Sequence, residues 1–161
     1  STVGEIWTCD NCGANEVIGR EIEGDGPIIS DGAPFAVGAY PHAHRVGDLI
    51  FVSGIGPRHP TTNDIPGGPI LDADGKPLEY DIRAQTHAVI ENIQTILESA
   101  GSSLEKIVDC LVFLVDMERD FEGYNEVYAE YFSEIMAART TVAVSALPTA
   151  IAIEMKVIAK G

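Results

Sequence analysis

Positive charge is scarce in this chain. Ten Lys and Arg stand against 25 Asp and Glu, a formal net charge of −15 over 161 residues. Nucleic-acid binding rests on Lys and Arg neutralising phosphates, and anionic membrane surfaces attract polybasic segments. Neither is expected as a partner. The same imbalance slows the approach of an anionic small molecule, so a site for one must carry local cations. Cysteine is also scarce, with only Cys9, Cys12 and Cys110. An odd count without a secretory signal does not suggest a disulfide framework. Cys9 and Cys12 form a single C-x-x-C, whereas a structural zinc takes four ligands. His42 and His44 stand at no standard spacing from that pair, so no metal is expected. A redox role lacks a β-α-β context, and Asp10 opposes the thiolate. The pair reads as two ordinary thiols in a terminal arm. No apolar run approaches the ~20 residues that span a bilayer. The start, STVGEIWTCDNC, shows no basic region followed by an apolar stretch. A cytoplasmic protein is therefore expected.

What is present suits one globular domain: 161 residues, 45% of them hydrophobic. Residues 1–33 read as an N-terminal arm with little periodicity, punctuated by Gly24-Asp25-Gly26-Pro27 and Ser30-Asp31-Gly32. Residues 34–161 read as the domain. Ala43 to Val46 and Leu49 to Val52 are strands around a Gly47-Asp48 turn. The second ends in Ser53-Gly54-Ile55-Gly56, small residues whose backbone N–H groups can cup an anion or simply turn the chain. Gly56 to Lys76 is a long loop rich in Pro and Gly, with a short edge strand possible near Leu71.

Helical spacing of Ile82, Val89, Ile93, Ile96, Leu97 and Ala100 predicts a helix over about 80–100, ended by Gly101. His87 within it reads as a rim residue. Ile107 to Val115 is a nearly continuous apolar run, the mark of a central strand, with Cys110 filling core space. A second helix is predicted over about 120–136. Its stripe of Phe121, Tyr124, Tyr128, Tyr131 and Phe132 reads as core, because no basic residues interleave with it as in a nucleic-acid stacking platform. Asn125 sits at the stripe's edge. The last stretch, 137–159, reads as two strands joined by a Leu147-Pro148 turn, with Ile151, Ile153, Met155 and Val157 on one face and Glu154 and Lys156 on the other.

The order β-β-α-β-α-β-β implies an α+β domain, a mixed sheet with two helices on one face. The sheet's other face is also apolar, which predicts an oligomer that buries it. Two charges interrupt the final apolar strands: Arg139 and Glu154. A charge there is expensive unless it is paired or used. The guanidinium fork suits a carboxylate, and a carboxylate group suits proton transfer. The bland alternative is that the two pair with each other.

Gly38-Ala39-Tyr40-Pro41, Leu49 to Gly54, and Ala138-Arg139-Thr140-Thr141-Val142 leading through Leu147-Pro148 to Ile153-Glu154 together resemble the Rid (YjgF-type reactive intermediate deaminase) family over most of residues 33–160. The resemblance implies a chorismate-mutase-like fold, a homotrimer or dimer of trimers with sites at subunit interfaces, and no cofactor. It implies Arg139 as the substrate-carboxylate residue, Glu154 as the residue positioning water, Tyr40 as the site tyrosine, Gly54 as a backbone anion contact and Asn125 as a helix contact. Thr141 falls where many members carry Cys. The implied activity is hydrolysis of enamine or imine carboxylates to ketones and ammonia. The arm and the long loop resemble the 2-aminomuconate deaminase branch, whose product would be 2-oxohex-3-enedioate (4-oxalocrotonate), in aromatic-compound catabolism. A general 2-imino acid deaminase and a non-enzymatic ligand-binding or chaperone-like trimer are the other two readings. A dicarboxylate needs a second cation, and two clusters are candidates: His42-Ala43-His44-Arg45 and Arg58-His59.

Overall fold

A computed structural model describes residues 24–161, together with the backbone of two short strands before them, Glu5–Thr8 (β1) and Asn15–Ile18 (β2). β1 and β2 pair antiparallel in a two-stranded ribbon. Cys9 and Cys12 lie outside the described residues.

The remaining strands are Gly26–Ile28 (β3), Ala43–Val46 (β4), Leu49–Val52 (β5), Ile107–Leu114 (β6), Ala138–Ala143 (β7) and Ile153–Lys160 (β8). They form one sheet in the order β3-β4-β5-β8-β6-β7. Only the β6–β7 pair is parallel, and Met117–Phe132 (α2) makes the crossover between them. Ile82–Ser99 (α1) packs beside α2 on the same face. The α+β architecture is the one expected from the sequence.

Local chemistry fixes the ends of these elements. Asp81 caps α1 by accepting from the backbone N–H of Arg83 at 2.9 Å and of Ala84 at 3.2 Å. Asp116 caps α2 by accepting from the Arg119 N–H at 3.0 Å, so that helix starts three residues before Asp120. Arg45 reaches across to donate to the Ala100 carbonyl at the end of α1, where a cation complements the helix dipole. Gly47 takes φ 57 as the first of two loop residues between β4 and β5, the position at which a II′ hairpin turn needs positive φ.

The core lies between helices and sheet. Val89, Ile90, Ile93, Ile96 and Leu97 of α1 meet Ile50, Val52, Cys110, Val112, Leu114, Met155 and Val157, all buried. Asp120 is fully buried within it. Its Oδ2 accepts from the Tyr80 hydroxyl, and its Oδ1 has only the Arg119 Nε, at 3.7 Å. Burial pushes the Asp120 carboxyl above its ordinary range, partly offset by the Tyr80 bond and the Arg119 charge. Among the described residues, none covers the opposite sheet face. It carries Phe51, Leu111, Phe113 and Ile158 with Glu154 and Lys156.

Two sequence expectations are corrected and one is refined. β3 comes from inside the supposed arm and pairs with β4, Ile28 opposite Ala43. Leu147-Pro148 does link β7 to β8, but the two strands are not neighbours in the sheet, because β6 lies between them. The apolar alternation that defines each strand carries no signal for which strands pair. The loop makes only an isolated bridge, Leu71 to Pro77, rather than an edge strand.

Candidate active site

Glu154 projects from β8 onto the open face, opposite Phe113. It is half-buried, and that burial pushes its carboxyl above the ordinary carboxylate range. The segment just after β5 lies against it. Ile55 and Met155 exchange backbone hydrogen bonds at 2.8 and 2.9 Å, which brings Gly54 beside the carboxylate. A Cβ on Gly54 would stand 2.8 Å from Glu154 Oε2. Only glycine admits this approach.

Ser53 is held by two bonds, its N–H to the His42 carbonyl at 2.9 Å and its hydroxyl to the Pro41 carbonyl at 2.7 Å. Tyr40, Ser53, Gly54, Pro148, Glu154 and Lys156 enclose an open cleft of about 340 Å³. Tyr40 and Gly54 also wall a neighbouring small cavity that ends at Arg58. Tyr40 is part-exposed, and its hydroxyl accepts from the Val37 N–H at 3.3 Å.

Arg139 is elsewhere. On β7 it stands opposite Cys110, so it faces the helices. Nη1 donates to Asn125 Oδ1 at 2.8 Å, and the guanidinium carbon lies 4.6 Å from the Tyr128 ring centroid and 5.3 Å from that of Tyr124. Thr141, on the same face, shares a 2.8 Å hydrogen bond with the Tyr124 hydroxyl. Arg139 has no ion pair among the described residues. The mutual Arg139–Glu154 pair that the sequence left open does not form.

The expected cation clusters are mostly engaged in holding backbone. His42 is buried; Nδ1 accepts from the Ser30 N–H at 2.9 Å, so Nε2 carries the proton and donates to the Pro34 carbonyl at 2.7 Å. Arg58 donates to Asn63 Oδ1 at 3.0 Å and the Phe35 carbonyl at 2.7 Å. His59 Nδ1 accepts from the N–H groups of Thr61 and Thr62. His44 is exposed on the open face opposite Phe51, away from the cleft. The structure therefore joins Tyr40, Gly54 and Glu154 in one place, and Arg139, Asn125 and Thr141 in another. It adds Ser53, Pro148 and Lys156 to the first group. Of these, Lys156 was signalled by its position two residues after Glu154 on the same strand face. No group of three or more potential metal ligands occurs among the described residues.

This fold belongs to a recognised class. Residues 31–160 match the family described as Endoribonuclease L-PSP. A RutC family protein of Pyrococcus abyssi is 45% identical over 132 residues, covering 82% of this chain and 94% of that protein. Protein HMF1 of Saccharomyces cerevisiae is 40% identical, covering 83% of this chain and 92% of HMF1. The crystal structure of E. coli TdcF with bound serine superposes with a TM-score of 0.71 at 32% identity, covering 84% of this chain and 98% of that one. The chain belongs to the Rid (YjgF-type) family. No helix among the described residues is long and apolar enough to cross a membrane.

Proposed function

We propose that this protein is a cofactor-independent hydrolytic deaminase of enamine or imine carboxylates, with 2-aminomuconate as its substrate and 2-oxohex-3-enedioate and ammonia as products. The observation that carries this reading is Glu154: a carboxyl with raised proton affinity, in an open cleft, pressed against the backbone of Gly54. Such a group holds a proton more readily than an ordinary carboxylate and can pass it on to a bound substrate. Arg139, held ready by Asn125 and a tyrosine ring and free of any carboxylate partner among the described residues, suits the substrate's carboxylate.

The chemistry balances without further reagents. The enamine gains a proton at carbon and becomes an iminium. Water adds to the C=N carbon while Glu154 takes its proton. Glu154 passes that proton to the carbinolamine nitrogen, the hydroxyl gives up its own proton as the C–N bond breaks, and ammonia leaves a ketone. The uncovered apolar sheet face supports a homo-oligomer, a trimer or dimer of trimers, in which one chain brings Arg139 and another Glu154. Although the family's description names an endoribonuclease, the −15 net charge opposes a polyanionic substrate.

Ammonia release from 2-aminomuconate and from 2-iminopropionate tests the reading. The wild type should favour the first. Arg139→Ala should lose activity on both while keeping the wild-type oligomer. Equal or greater activity on 2-iminopropionate would move the assignment to a general 2-imino acid deaminase. Ligand binding with no ammonia from either would leave a binding protein, a reading favoured by the serine bound in TdcF.

A further inference from the structure

The cleft contains one cation that the enamine chemistry does not use. Lys156 follows Glu154 by two positions on β8, so both side chains leave the same face of the sheet. Its ammonium donates to the Val52 carbonyl at 3.0 Å. It makes no ion pair with any described residue. An ammonium has three donors, so two remain for a ligand. In a chain of net charge −15, an unpaired cation lining an open cleft concentrates anions where little else does. Of the other candidates, Arg45 is engaged on the Ala100 carbonyl, Arg58 on Phe35 and Asn63, both nitrogens of His42 on backbone and His59 Nδ1 on the N–H groups of Thr61 and Thr62, and His44 does not line the cleft.

We propose that Lys156 is a specificity residue that takes the distal carboxylate of a dicarboxylic enamine or imine, while Glu154 serves the reacting carbon. The inference rests on the deaminase reading for its substrate class, and on the cleft alone for its anion site. Residues two apart on a strand are separated by about 6.6 Å. From C2 of a six-carbon diacid to its far carboxyl carbon is roughly 5 Å of extended chain, at bond lengths of about 1.5 Å. A hydrogen bond closes the remainder. Two anchors at the ends of such a molecule, Arg139 of a neighbouring chain and Lys156, leave its C2 beside Glu154. A monocarboxylic substrate gains from only one anchor.

The test compares trans,trans-muconate with sorbate, its six-carbon monocarboxylate counterpart of the same double-bond geometry, by titration calorimetry on the wild-type assembly and on Lys156→Gln and Lys156→Arg. The wild type should bind muconate at least about tenfold tighter than sorbate, as a charge-assisted hydrogen bond predicts. Lys156→Gln should collapse that ratio toward one, and Lys156→Arg should restore most of it. In turnover, the kcat/KM ratio for 2-aminomuconate over 2-iminopropionate should fall by a similar factor in Lys156→Gln, mainly through KM. A wild type without preference for muconate overturns the proposal, as does a Lys156→Gln variant that keeps the wild-type ratio. Absence of ammonia release in the wild type would overturn the deaminase reading instead, and the muconate-to-sorbate ratio would still decide Lys156.

Discussion

Arg139 and Glu154 stand on opposite faces of the same sheet, with β6 between their strands. The register settles it: Arg139 lies opposite Cys110, which points into the helix-side core, and Glu154 lies opposite Phe113, which points away from it. Two strand spacings alone put their backbones about 9.6 Å apart. A site using both therefore needs two chains. Arg139→Ala and Glu154→Gln should each be inactive alone. Unfolding and refolding them together in equal amounts should recover about a quarter of wild-type activity, because random assembly pairs an intact Arg139 with an intact Glu154 at that frequency. No recovery in mixed assemblies, shown to be mixed by mass spectrometry, would mean that the two residues do not share a site.

Gly54 offers a sharper probe of the cleft. In Gly54→Ala the new methyl would overlap Glu154 Oε2 at 2.8 Å and Cδ at 3.0 Å. The end of a flexible side chain can move aside, so folding should survive with an unfolding midpoint near wild type. Catalysis should fall by at least about tenfold, since a displacement of that size misaligns a proton-transfer group. Circular dichroism with steady-state kinetics separates the two effects. Full activity in this variant would show that the Glu154 position is not needed.

The raised proton affinity of Glu154 has a stability consequence with a definite sign. Burial raises its folded value above the unfolded value of about 4.3. Its contribution to stability is therefore complete below the unfolded value and is lost as pH rises through the folded one. Glu154→Gln does not titrate. The variant's denaturant midpoint should gain on that of the wild type as pH rises from about 4 and then hold a constant lead. Parallel stability curves at pH 4 and pH 7 would contradict the raised value.

Tyr80 and Asp120 make the corresponding case in the core. Tyr80→Phe removes the only close hydrogen bond to a fully buried carboxyl and leaves Arg119 at 3.7 Å as its remaining partner. Leaving a buried acceptor unsatisfied costs about 1–3 kcal/mol. Urea denaturation should show a loss in that range. Activity per folded molecule should be retained, since neither residue lines the cleft.

Much of the fold was legible because periodicity encodes faces. The α1 residues Val89, Ile93, Ile96 and Leu97 and the β8 residues Ile153, Met155 and Val157 are buried as their spacing predicted. Pairing was not legible. The Leu147-Pro148 link joins β7 to β8 along the chain, whereas β6, joined to β7 through α2, inserts beside β8. The candidate residues Tyr40, Gly54, Glu154, Arg139 and Asn125 were proposed from sequence without their division into two groups, because that depends on which strand lies opposite which. The histidines and Arg58 looked like ligands for an anion. Several bind backbone groups of sequence-distant segments, and no local pattern announces such contacts.

The long loop after β5 is fastened at few points. Asn92 donates to the carbonyls of Gly56 and Arg58, and Gln85 ties the Gly68 carbonyl to the Ala152 N–H just before Glu154. Both amides come from the rigid face of α1. The Ile70 N–H also donates to the Ala150 carbonyl at 3.0 Å, and the stretches outside these anchors, around Thr61-Thr62 and Asp72-Ala73, are exposed turns. The loop is thus an exchangeable part: its tips can lengthen, shorten or change sequence without disturbing the strand that carries Glu154.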